Sequence, residues 1–124
     1  MLIESRQDFM RRPAGTIYCK GKPWFWEQIC VKGDTLFHDG KAADWCYRDW
    51  AWVSASDSEQ AIDRLTLMAE ANASFPIEDT EGRDGCFDEQ DLFLIFEPED
   101  LAQMAEDIAK AIATGNLRGE TKIS

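Results

Sequence analysis

The sequence predicts an α+β domain, an antiparallel sheet of about four to five strands with a short N-terminal helix and two longer helices packed on it. Three observations predict this class. Short aromatic and β-branched runs in the first half are separated by Gly, Pro and Asp turn signals. Apolar residues then recur at helical spacing in two later segments. Between those segments lies an apolar strand, so the order is neither alternating βαβ nor all-β.

The elements follow in chain order. Ser5, with Asp8 three residues on and Pro13 ending the run, predicts a two-turn helix with Phe9 and Met10 inward. Gly15 opens a strand over 16–20, closed by Gly21-Lys22-Pro23. A second strand is expected over 24–32, and Gly33-Asp34 reads as a turn into Thr35-Leu36-Phe37. His38, Asp39 and Gly40 form a polar loop. Residues 45–53 read as a strand bulged or bent near Arg48-Asp49.

From Ser56-Asp57-Ser58-Glu59 the spacing becomes helical, with Ala61, Ile62, Leu65, Met68 and Ala69 on one stripe to about Ala71. Pro76 breaks the chain, and 78–91 reads as an acidic loop. The run Leu92 to Glu97 is the most hydrophobic strand, expected in the middle of the sheet. Pro98 suits the first turn of a last helix, with Leu101, Met104, Ala105, Ile108, Ala109 and Ile112 as its stripe and Gly115 at its end. One domain is therefore expected over 1–115, with a polar tail over 116–124.

At 124 residues and 44 % hydrophobic, the chain is expected to fold around a single core. No stretch approaches the roughly 20 apolar residues of a membrane span, and the N-terminus lacks a continuous signal-peptide core. Cys19, Cys30, Cys46 and Cys86 are irregularly spaced, with no Cys-x-x-Cys, which reads as reduced thiols in a cytoplasmic protein. The formal net charge of -11 disfavours direct binding to nucleic acid or to an anionic membrane. Charge is also uneven. Residues 1–48 hold eight Lys/Arg and six Asp/Glu, whereas 49–124 hold five and eighteen.

Catalytic signatures are sparse. The single histidine, His38, could serve as an acid or base only if the fold brought it a nucleophile such as a cysteine. No close pair of metal ligands and no Gly-rich phosphate loop is present, so neither a metal nor a cofactor is expected. The loop 79–85 fails an EF-hand frame, because Arg83 occupies a ligand position and the sixth place is not Gly.

The motifs Arg12-Pro13-Ala14-Gly15-Thr16-Ile17-Tyr18, Val31-Lys32-Gly33-Asp34-Thr35 and Gly82-Arg83-Asp84-Gly85-Cys86-Phe87-Asp88 resemble a loose set of small uncharacterised phage and prophage proteins. The likeness covers most of residues 5–113. That resemblance implies context alone: small acidic phage proteins often act as counter-defence factors, either by mimicking nucleic-acid charge or by sequestering a nucleotide signal.

Three functional readings follow. The leading one is a non-enzymatic binding protein, in context a phage-encoded counter-defence inhibitor, whose acidic half engages a basic, nucleic-acid-processing protein through Asp79, Glu81, Asp84, Asp88, Glu89 and Asp91. The second is a nucleotide sponge, with its pocket between the protomers of a homo-oligomer. Trp24, Trp26 and Trp50 would stack the base, and Arg11, Arg12 and Arg48 would hold phosphate. An enzyme using His38 or a cysteine with a carboxylate is the third. Beneath all of them stands a structural or housekeeping domain without a ligand.

Overall fold

Ser5 ends one element and starts the next, and that junction sets the architecture. In the computed structural model of the chain, which describes residues 1–115, strand β1 (Leu2–Ser5) runs directly into helix α1 (Arg6–Met10). The Ser5 hydroxyl accepts a hydrogen bond from the Asp8 amide at 3.3 Å and caps the helix. Then come β2 (Ile17–Lys22), β3 (Phe25–Trp26), β4 (Cys30–His38), β5 (Lys41–Asp49), α2 (Ser58–Glu70), β6 (Gly82–Arg83), β7 (Leu92–Ile95) and α3 (Pro98–Gly115). All strands pair antiparallel in the order β1-β7-β2-β4-β5-β6, and β3 pairs with β2. The α+β class is thus established. Seven strands form the sheet, of which β3 and β6 are two-residue ladders.

Several sequence expectations need correction. The N-terminal tetrapeptide is a strand, paired with β7 at Leu2–Ile95 and Ile3–Leu94. Instead of one strand over 24–32, the chain makes a tight β2–β3 hairpin and then leaves the sheet until Cys30. Gly21 permits that hairpin, since a Cβ there would collide with the Phe25 carbonyl oxygen. Gly33-Asp34 is no turn: β4 runs through it with a bulge between Lys32 and Thr35. The reversal falls instead at Asp39-Gly40, both at positive φ, between the paired residues His38 and Lys41. Strand β5 consequently starts at Lys41 and stops at Asp49, short of Val53. The expected 78–91 loop contains β6. The expected tail over 116–124 lies outside the described residues.

By contacts the chain divides into two units, Leu2–Ile95 and Met1 with Phe96 onward. In the first, the core sits between α1 and one face of the sheet. Phe9 of α1 stacks on Phe93 at 4.2 Å between ring centroids and meets Tyr18 at 4.4 Å and Trp45 at 5.0 Å. Met10, Cys30 and Ile95 complete this cluster. The indole of Trp45, fully buried, donates to the Tyr18 hydroxyl at 3.0 Å. Strand β7 lies inside the sheet between β1 and β2, as its apolar run predicts. Phe93 and Ile95 face the core, while Leu92 and Leu94 are half-buried on the other face.

One buried cation fixes the β4 bulge, and a second, with a buried carboxylate, pins the segment over 82–91. Lys32 donates to the Gly33 carbonyl at 3.1 Å and to the Thr35 hydroxyl at 2.6 Å; burial pulls its pKa below the usual lysine value. Arg6 donates to the Ala43 carbonyl at 2.7 Å, to that of Cys86 at 3.2 Å, and to Glu89 at 3.3 Å. Asp44, 0 % exposed, accepts from Arg83 Nε and from the Gly85 amide. Residues 82–91 are therefore strapped onto the sheet by the charges that made them read as solvated loop.

Helix α2 lies beside the segments that flank it. Asp57 caps it by accepting from the Gln60 amide at 2.7 Å, and Arg64 reaches the Ser54 carbonyl and stands 4.9 Å from the Phe75 ring centroid. Only Ala61 of its stripe is buried; Ile62, Leu67 and Met68 are exposed. In the second unit, Pro98 opens α3 with Glu99 and Asp100 in the first turn. The N-terminal ammonium pairs with Asp100 at 2.7 Å and Glu97 at 3.1 Å, which raises the amine's pKa and lowers that of Asp100.

Candidate binding surface

Past the end of β5 the chain turns out of the sheet, and this exit builds the candidate surface. Asp49 arrests the strand by accepting from the Ala51 amide at 2.8 Å and from the Gln28 amide at 2.9 Å. The peptide then crosses segment 76–78: the Glu78 amide donates to the Trp52 carbonyl, the Ser54 amide to that of Pro76, and Val53 bridges Ile77. These bonds present Trp52 outward, 43 % exposed.

Three clefts share the Trp52 side chain. A groove of about 290 Å³ is almost wholly apolar, lined by Trp50, Leu65, Met68, Phe75 and Ile77. A second, of about 450 Å³, carries Asp49 and Glu78 with Gln28 and Tyr47. The third, of about 260 Å³, carries Asp57, Glu78 and Glu81. One exposed indole thus stands between an apolar groove and four carboxylates. Arg48 adds a positive charge nearby, its guanidinium donating to the Glu78 carbonyl at 3.3 Å.

The six carboxylates singled out from sequence do not share one place. Glu81 lines a Trp52 cleft, and a Cβ at Gly33 would run into its carboxylate; Asp79 is exposed on the same segment. Asp84 is half-buried, paired with Lys20 at 3.3 Å and accepting from the Cys86 amide. Burial lowers the Lys20 pKa but its Asp84 partner raises it, for a net rise. Glu89 holds Arg6 and Gln7, Asp88 accepts from the Gln90 amide, and Asp91 lies 3.6 Å from the Cys86 thiol.

The six candidate nucleotide residues fall in three places. Arg11 and Arg12 end α1, the first beside Asp8 and the second gripping Glu4. Trp24, 84 % exposed, and half-buried Trp26 occupy the β2–β3 hairpin. Arg48 and Trp50 stand by the Trp52 clefts. Trp50 and Trp52 look alike in sequence, and the strand's end at Asp49 separates their environments.

Nucleophile chemistry has little support in the two buried thiols, Cys30 and Cys19. Burial pushes Cys30 up to about 12 and raises Cys19, so both stay protonated at neutral pH. His38 is exposed, with Nε2 3.5 Å from Asp39. Among the described residues, no group of three His, Cys, Asp or Glu side chains is placed to hold a metal ion, and no helix is long and apolar enough to cross a membrane. Tyr18, Lys20, Cys30, Tyr47 and Asp84 surround a polar cavity of about 60 Å³. That is room for about two waters. No family model, curated protein or solved structure matches the chain.

Proposed function

We propose that this chain is a non-enzymatic binding protein that engages a basic protein partner at Trp52. The observation carrying this reading is the exposed indole set between the apolar groove and Asp49, Asp57, Glu78 and Glu81. An Arg or Lys side chain laid on the Trp52 face gains cation–π attraction and meets carboxylates at its charged end. A neighbouring apolar side chain fills the groove, the combination of anchor and polar rim that concentrates binding energy in protein interfaces. The overall charge of -11 steers such a partner in. Basic faces of this kind belong above all to proteins that handle nucleic acid, and covering one inhibits it.

The test is capture from an extract of the cells that carry this sequence, comparing the native chain with Trp52→Ala and with Asp49→Asn/Glu78→Gln. The reading expects a discrete basic protein, retained at low salt, released at high salt, and missing from both variants. Retention indifferent to salt, or a set of captured proteins that neither variant changes, overturns it.

A further inference from the structure

We propose that a second site, at the turn end of the β4–β5 hairpin, takes a nucleoside monophosphate, with its phosphate on Arg83 and its base against Phe37. A cleft of about 590 Å³ lies there, lined by Leu36, Phe37, His38, Asp44, Arg83 and Phe87 together with Ala43. That is the size of a small-molecule pocket.

Arg83 is held as an anion-binding arginine is held. Its Nε donates to Asp44, which is itself fully buried and further fixed by the Gly85 amide. The two terminal nitrogens make no hydrogen bond to any group among the described residues, and the side chain is 61 % exposed. A guanidinium anchored at Nε by a buried carboxylate presents its outer edge as a preorganised fork for two oxygens of a phosphate. Little side-chain entropy remains to be lost on binding.

The walls supply the second half of the ligand. Phe37 is 68 % exposed on β4, paired across the ladder with the small Ala42, so its ring is left uncovered. Phe87, also exposed, is steadied by two guanidinium groups, Arg83 at 5.9 Å and buried Arg6 at 5.7 Å from its centroid. Two open phenyl rings beside a cation suit a flat aromatic ring that carries an anion. With Asp44 buried and engaged and Arg83 on the phosphate, His38 is the one polar side chain among the described lining residues left to read a base edge, which predicts tolerance among bases with purines stacking best. His38 and its ladder partner Lys41 add basic side chains at the hairpin end, against the acidic background of the chain.

This site shares no lining residue with the Trp52 clefts and stands or falls separately from them. The experiment is calorimetric titration of the full chain with adenosine and guanosine 5′-monophosphates, with adenosine alone and inorganic phosphate alone as controls, repeated for Arg83→Gln and Phe37→Ala. Gln at 83 can still donate to Asp44 while losing the charge, and Phe37 contributes little to the core, so at least one variant stays folded. The expected result is saturable binding of both monophosphates, weaker for either fragment, and weakened at least about tenfold in Arg83→Gln and about five- to tenfold in Phe37→Ala. No saturation by either monophosphate at millimolar concentration overturns the proposal. So does binding that adenosine or phosphate alone reproduces, or that a folded variant leaves unchanged.

Discussion

Trp45 and Trp52 stand one on β5 and the other just beyond its end, and their surroundings are opposite. Trp45 is 0 % exposed, meets Phe9 and Phe93 edge to face, and satisfies its indole N–H on Tyr18. Trp52 is nearly half exposed, with apolar side chains on one side and carboxylates on the others. The same contrast separates the sheet from α2. In β7 the alternating residues are buried against α1, whereas the helical stripe of α2 buries Ala61 alone. Periodicity marks which side chains share a face; what covers that face is settled by elements far away in sequence.

Substitutions sharpen this contrast, beginning with the core. Phe93→Ala removes a ring in contact with Phe9, Tyr18 and Trp45 and is expected to cost about 3–5 kcal/mol in urea unfolding. A loss below about 1 kcal/mol would break the assignment of this face as the core. Asp44→Ala leaves the Gly85 amide and Arg83 Nε without their acceptor and is expected to cost about 1–3 kcal/mol. It should also loosen residues 82–91, seen as faster amide exchange there and not in β7.

Alkaline pH tests the same core by a different route. Burial raises the pKa values of Cys19, Cys30, Tyr18 and Tyr47 above their unfolded values. Their contributions are fully present below pH 9 and are lost as pH rises through the folded values, about 12 for Cys30. Lys32 has the opposite sign, since its lowered folded pKa makes stability rise with pH up to the unfolded value of 10.5. Lys20 and the N-terminal amine, both raised by their carboxylate partners, share the sign of the four, so six groups against one predict a net fall in unfolding free energy above pH 9. A flat profile to pH 11 would contradict the burial of these groups. At pH 8 in the folded protein, Cys30 should alkylate far more slowly than after denaturation. The smallest effect is expected on α2, where Ile62→Ser should change stability by less than about 0.5 kcal/mol.

Much of the fold was legible because local signals agreed with the final packing. Ser5 and Asp57 cap helices where their side chains predict caps, and Pro98 opens α3. Strand β1 was missed because four residues carry too short a pattern, and β7 alone makes them a strand. Gly33-Asp34 misled because a bulge and a turn draw on the same residues. The strap 82–91 read as solvated because its counter-charges, Arg6, Lys20 and Asp44, lie 39 to 83 residues away in sequence. Sequence did hold one clue to the second site proposed above: Arg83 is the only Lys or Arg between Arg64 and Lys110.

The central claim is that Trp52 serves a partner and not the core, and Trp52→Ala measured for both stability and partner capture tests it most directly. The account predicts an unfolding free energy within about 1 kcal/mol of the native chain, together with loss of the salt-sensitive basic partner. A destabilisation of about 3 kcal/mol or more, or an undiminished capture by the folded variant, would contradict it.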